Sequence, residues 1–182
     1  MQDYTVLHPT LSTPKDRTMA TTARKAPKTP TPAHRRALLA ALADDEGRVP
    51  DHINNRVQDA IWLARWVTEV TNTGRAAVGA RWAGYDGPTF LAINSRGRRA
   101  LLTDAGNTAL RGAGSDGRLP EGTPWPTMHT LHRDGLVEYR DANGTVHPTD
   151  GDGGVRGPRY APYVTELGRR LITGFPQAHR AA

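Results

Sequence analysis

The side chains of this sequence that could do chemistry are hydrogen-bond donors and cations, not nucleophiles. Between Thr127 and Arg133, helical spacing puts Thr127, His129, Thr130 and Arg133 on one set of faces and leaves Met128 and Leu131 to pack inward. Arginine and histidine can donate to the acceptors on a guanine edge, and threonine can contact a base or a phosphate. A solvated polar helix face would look the same. Other chemistry is thin. There is no cysteine, which excludes disulfides, thiol catalysis and cysteine-ligated zinc. Gly112-Ala113-Gly114-Ser115-Asp116-Gly117 has the spacing of a nucleotide loop but follows a helical stretch rather than a strand. Asp150-Gly151-Asp152-Gly153 imitates part of a calcium loop without its closing Glu. His129, His132 and His147 lack the carboxylate pattern of a metal site. No Ser-His-Asp set or carboxylate pair stands out, so neither an enzyme, a cofactor nor a bound metal is expected.

The net charge of +6 is unevenly placed. Residues 1–36 carry seven basic and two acidic side chains, which leaves 17 basic and 16 acidic for the rest. The body is therefore nearly neutral, and the basicity lies in a leading stretch that includes Lys25, Lys28, Arg35 and Arg36. Residues 1–30, rich in Thr, Pro, Ala, Lys and Arg without an apolar period, read as a disordered basic arm suited to DNA phosphates or a minor groove. The start has no basic segment followed by an apolar core, and no apolar run nears the roughly 20 residues of a membrane span. A cytoplasmic location, at the nucleoid, is expected, with no membrane partner.

The elements that must position these side chains are written twice. Gly87 to Leu102 (GPTFLAINSRGRRALL) and Gly157 to Ile172 (GPRYAPYVTELGRRLI) both read strand, cap, helix. Asn94 and Thr165 supply the capping oxygens. A shift of 70 aligns Gly47, Arg48 and Pro50 with Gly117, Arg118 and Pro120, and Val67, Gly74 and Gly84 with Val137, Gly144 and Gly154. One residue is then inserted before Gly97-Arg98-Arg99 meets Gly168-Arg169-Arg170. These coincidences fall at turns and one core strand, as an internal duplication requires. Ahead of the first copy, Thr31 caps a helix that Pro32 opens, with Leu38, Leu39 and Leu42 as its buried stripe and Gly47 as its stop. His52 to Val70 reads as a second helix running into a strand.

Gly135-Leu136-Val137-Glu138 and Val164-Thr165-Glu166-Leu167-Gly168-Arg169 resemble two signatures of the winged helix–turn–helix of bacterial MarR- and PadR-type regulators, where a recognition helix ends in Gly-Leu-Val-Glu and the wing returns into a Thr-capped helix. The resemblance implies an α+β fold: two tandem winged-helix units, 31–104 and 105–176, related by duplication, with a tail at 177–182. It also implies a double-stranded DNA partner and a role in transcriptional regulation, or in plasmid or phage replication or partition. Thr127, His129, Thr130 and Arg133 then belong to the reading helix, and Arg156 and Arg159 flank the wing's Gly-Pro. Asn55 and Arg56 open the corresponding helix of the first unit, with Asn54 and Gln58 beside them. Gly117 to Pro126 leaves almost no room for the middle helix of the motif, and Asn143-Gly144 signals an extra hairpin in the wing. In the first copy Trp62, Leu63 and Trp66 make the second helix apolar on most of its circumference. It is expected to pack on the other repeat or, through those three residues, on a second subunit or partner protein. The rival function is accordingly a protein-interaction module of the kind that accompanies chromosome-condensing complexes.

Overall fold

A reciprocal cap starts the first helix. Thr31 accepts the His34 amide on its hydroxyl, and His34 Nδ1 accepts the Thr31 amide, so two orphan donors are satisfied at once. Pro32 needs no donor at its position. Helix α1 (Pro32–Ala43) buries Leu38, Ala41 and Leu42 completely. The computed structural model describes residues 26–152 and 159–175. After α1 come α2 (Asn55–Leu63), β1 (Val67–Thr71), α3 (Ala77–Trp82), β2 (Thr89–Ile93) and α4 (Ser95–Ala100). The chain continues through α5 (Asp104–Arg111), α6 (Trp125–Arg133), β3 (Val137–Arg140), β4 (Val146–His147), β5 (Ala161–Val164) and α7 (Glu166–Thr173). The described residues thus hold seven helices and two small antiparallel sheets, β1-β2 and β4-β3-β5.

The chain runs the same course twice. α2 and α6 lie 70 residues apart end to end, and α4 and α7 begin 71 apart. Val67 pairs with Ile93 in one sheet, Val137 with Val164 in the other. The loop bonds repeat as well: Val49 donates to Leu91 and Leu119 to Pro162, while Asn94 donates to Trp66 and Thr165 to Leu136. Asn94 caps α4 through the Gly97 amide (2.9 Å), and Thr165 caps α7 through that of Gly168 (3.1 Å). Both amides must be glycine's: a Cβ on Gly97 would strike the Trp66 carbonyl, and one on Gly168 the Leu136 carbonyl. Between α1 and α2, and between α5 and α6, there is only a bridge to the returning strand (Arg48 to Ala92, Arg118 to Tyr163) and a turn.

The passes part in the β1–β2 and β3–β5 connections. Val70 bridges Ala76 in the first and Arg140 pairs with Val146 in the second, but the first pass then turns into α3 while the second forms β4. Asn72-Thr73-Gly74 and Tyr85-Asp86-Gly87 give this stretch the composition of turns, yet α3 forms between them. The extra hairpin at Asn143-Gly144 is present as β3-β4.

One core serves both passes. α1 packs on α2, α4 and α7, and α5 on α6 and α7, so that Leu38, Leu42, Ile61, Leu101, Leu110, Leu131, Leu136 and Leu171 form one cluster. Each fully buried leucine contributes about 1.5–3 kcal/mol by leaving water. Arg170 fastens α7 to the end of α1 through the Ala43 carbonyl (3.3 Å) and Asp45 (2.9 Å).

One expectation about the first pass is corrected: Trp66 is no part of an outer apolar face with Trp62 and Leu63. α2 is not covered on two sides by this chain: Ile61 is buried, but Trp62 and Leu63 are 47% and 44% exposed. Trp66 does not share their surface. It is 3% exposed and lies edge-on to His34 at 5.8 Å. The helix has ended at Leu63, and a left-handed Arg65 (φ 58°) swings Trp66 inward as the strand begins.

Candidate nucleic-acid interface

Helix α6 has no side-chain cap; Pro124 precedes it and Pro126 occupies its first turn. Its orientation is set from the sides. Met128 and Leu131 enter the core, and the Trp125 indole N–H donates to Asp150 Oδ2 at 2.7 Å. The His129 ring stacks on Trp125 at 4.9 Å and 25°, and His132 lies on Tyr139 at 4.8 Å. Burial first, and then the Asp150 charge, push the Tyr139 phenol above its ordinary pKa.

The four residues expected to act together on α6 divide into two pairs. His129 and Arg133, one turn apart, are exposed. Thr127 and Thr130 are half-buried and line a cleft of about 360 Å³ that also takes in Arg35, Leu102 and Asp134. The Thr130 hydroxyl donates to the Pro126 carbonyl of its own helix (2.9 Å). Arg35 belongs to α1 and reaches Asp134, whose side chain is only 8% exposed. Arg133 Nε stands 3.5 Å from the other oxygen of that carboxylate and leaves most of its side chain in solvent.

The β3–β4 hairpin of the second pass is braced by side chains. Asp141 Oδ1 accepts the amides of Asn143 and Thr145 (2.9 Å each), and Oδ2 lies 3.1 Å from His147 Nε2. The His147 hydrogen bond, followed by the Thr145 amide, holds the Asp141 carboxyl below the usual carboxylate range. His147 stacks on Tyr160 at 3.8 Å, nearly parallel, and the exposed Arg159 guanidinium lies 5.7 Å from the same ring. Lys25 and Arg156 fall outside the described residues. Lys28 and Arg36 are exposed, as are Asn55 and Arg56 at the start of α2, where Asn54 Oδ1 accepts the Arg56 amide at 2.8 Å.

The chain matches no family model, no curated protein and no solved structure. The site therefore rests on its own geometry. Among the described residues no group of three metal-ligating side chains converges, and no helix is long and apolar enough to cross a membrane. Sequence reasoning passed over Arg65, Arg96 and Arg99. These gather with Lys28 around a cleft of about 560 Å³ at the end of α2. The repeat held a usable signal for the first of them, because Arg65 stands where the second copy has Gly135.

Proposed function

We propose that the chain is a double-stranded DNA-binding protein made of two tandem winged-helix units, 31–104 and 105–176, and that it serves in transcriptional control or in plasmid or phage replication or partition rather than as an enzyme. The observation that carries this reading is the outward face of α6, which offers the donors His129 and Arg133 and has no carboxylate along the helix. An α-helix with its side chains is about 10–12 Å across, which a major groove about 12 Å wide admits. Arg133 at its end would donate to guanine acceptors or to a phosphate. The braced wing, with Arg159, and the exposed Arg36, Asn55 and Arg56 would touch backbone, as phosphate contacts fix register while base contacts specify.

Arg133→Ala tests the reading. Its weak approach to Asp134 gives it little structural role, so folding should persist while duplex affinity falls by roughly tenfold. Anisotropy titrations of wild type and variant at several salt concentrations measure this. Equal affinities for a folded variant would remove α6 from the interface.

A protein-interaction module is the second reading, favoured by one specific observation. Four of the five large exposed apolar side chains among the described residues, Trp62, Leu63, Val78 and Trp82, belong to the first pass, with Trp82 89% exposed; the fifth, Val146, is in β4. Binding to random duplex separates the two readings, since neutralising several phosphates makes affinity fall steeply with salt.

A further inference from the structure

We propose that the cleft at the end of α2 is a phosphate-binding site, a second anion contact in the first unit and remote from α6. Its walls are the residues entering α1, the α2–β1 turn and helix α4. Lys28, Arg65, Arg96 and Arg99 bring four cationic side chains to it, with Leu63 and Trp66 as apolar backing, and no carboxylate lines it.

Arg48, Arg81, Arg140, Arg169 and Arg170 each have a carboxylate within ion-pair distance. Lys28, Arg65 and Arg96 have none among the described residues, and Arg99 shares only Asp104, whose side chain is 95% exposed. Like charges held around one cleft repel one another, and a multivalent anion removes that repulsion. Phosphate suits the donors present: guanidinium forks offer paired N–H groups to its oxygens, and an ammonium adds a point charge. The neighbouring groove between Trp62 and Phe90 is the reverse case, lined by Asp51, Asp59 and Glu69.

Backbone strain points to the same place independently. Arg65 is the non-glycine residue with positive φ among the described residues, at 58°. Its counterpart Gly135 has φ 72°, which glycine adopts without penalty. The turn is fixed from the cap of α4, where the Asn94 side-chain Nδ2 donates to the Arg65 carbonyl at 3.1 Å and to Thr68 Oγ1 at 3.0 Å. An arginine kept in a strained, clamped turn where glycine would relax it is there for its side chain. In the second pass Asp134, Gly135 and Leu167 stand in place of Ala64, Arg65 and Arg96, Arg35 pairs with Asp134 from α1, and Arg170, in place of Arg99, has Asp45 and Glu166 beside it, so the unneutralised cluster belongs to the first pass.

Two sources could supply the phosphate: the diester backbone of a duplex, which would deepen the DNA reading, or a free phosphoester. The test uses the full chain, with Arg65→Gly and Arg96→Ala beside Arg133→Ala. The probes are a random-sequence 20-bp duplex and inorganic pyrophosphate, read by anisotropy and by the arginine Nε–Hε resonances. Arg65→Gly removes the cation and relaxes the turn, so its melting temperature should equal or exceed that of wild type while duplex affinity falls about fivefold to tenfold. The salt dependence should flatten by about one phosphate contact per cation removed. If Arg133→Ala weakens duplex binding and neither cleft variant does, the duplex is not the source of the phosphate and the DNA reading stands; the cleft proposal then survives if Arg65 and Arg96 respond to pyrophosphate and fails if they do not. If Arg65 and Arg96 respond to pyrophosphate and no duplex binds, the site is a free-phosphoester site and the DNA reading fails. No response of either arginine to either probe overturns the proposal.

Discussion

α2 and α6 occupy equivalent positions in the two passes, yet they offer the solvent opposite chemistry. α6 ends in His132 and Arg133, while α2 ends in Trp62 and Leu63 and carries Asp59 on the way. The residues that hold the backbone are alike: Ile61 and Leu131 in the helices, Trp66 and Leu136 at the strand entries, and Gly97 and Gly168 under their carbonyls. The surfaces share almost nothing. The frame constrains what a Cβ can meet and what must leave water, and the outer faces are left free to serve different partners.

The strongest way to break this comparison is through the tryptophans. Trp66→Ala empties a core position and should lower unfolding free energy by about 3–5 kcal/mol, whereas Trp62→Ala should change it by less than about 1 kcal/mol. Urea unfolding of both variants measures the difference, and equal losses would mean that α2 is covered after all. Next in size are the glycines. Gly97→Ala and Gly168→Ala should each cost about 1–3 kcal/mol through overpacking against a carbonyl. If the two passes are equivalent, the two losses should agree, and a tolerated alanine at one position would separate them.

The smallest effect concerns a group that only the first pass has. His34 lies in the first turn of α1 with Nδ1 accepting the Thr31 amide, and burial lowers its pKa below the ordinary 6.5. The unfolded chain therefore takes up the proton first. His34's contribution should be complete above pH 6.5, decline as the pH falls towards its folded pKa, and be constant below it. The corresponding cap in the second pass ties Thr103 to the Gly106 amide and cannot titrate. The difference in urea midpoint between wild type and His34→Gln should accordingly shrink from pH 7.5 to pH 5; a constant difference would detach His34 from the acid dependence.

Much of the frame was legible because local chemistry writes it. Thr31, Asn94 and Thr165 announce helix starts by residue type, and Asn143-Gly144 announces a tight turn. The spacing of 70 carried these from one pass to the other. What could not be read depended on contacts distant in sequence. Trp62 and Trp66 are both tryptophans in an apolar run, and only the left-handed turn at Arg65 sends one inside and the other out. The partner of Arg35 lies 99 residues away at Asp134. α3 forms in a segment whose Gly, Asn and Asp signal turns, beside the Val70–Ala76 bridge and tied to β1 by Arg81 and Glu69 at 2.6 Å. Of the site, His129 and Arg133 stand where helical spacing puts them, but Thr127 and Thr130 turn towards a cleft that exists only once α1 and α5 are in place.

Helix α7 touches both α1 and α5. Two similar passes of a chain can form separate beads that melt one at a time. Because the last helix packs on the helix that opens the first pass as well as on α5, the two passes share one interior. Damage to either pass should therefore be felt by the whole molecule.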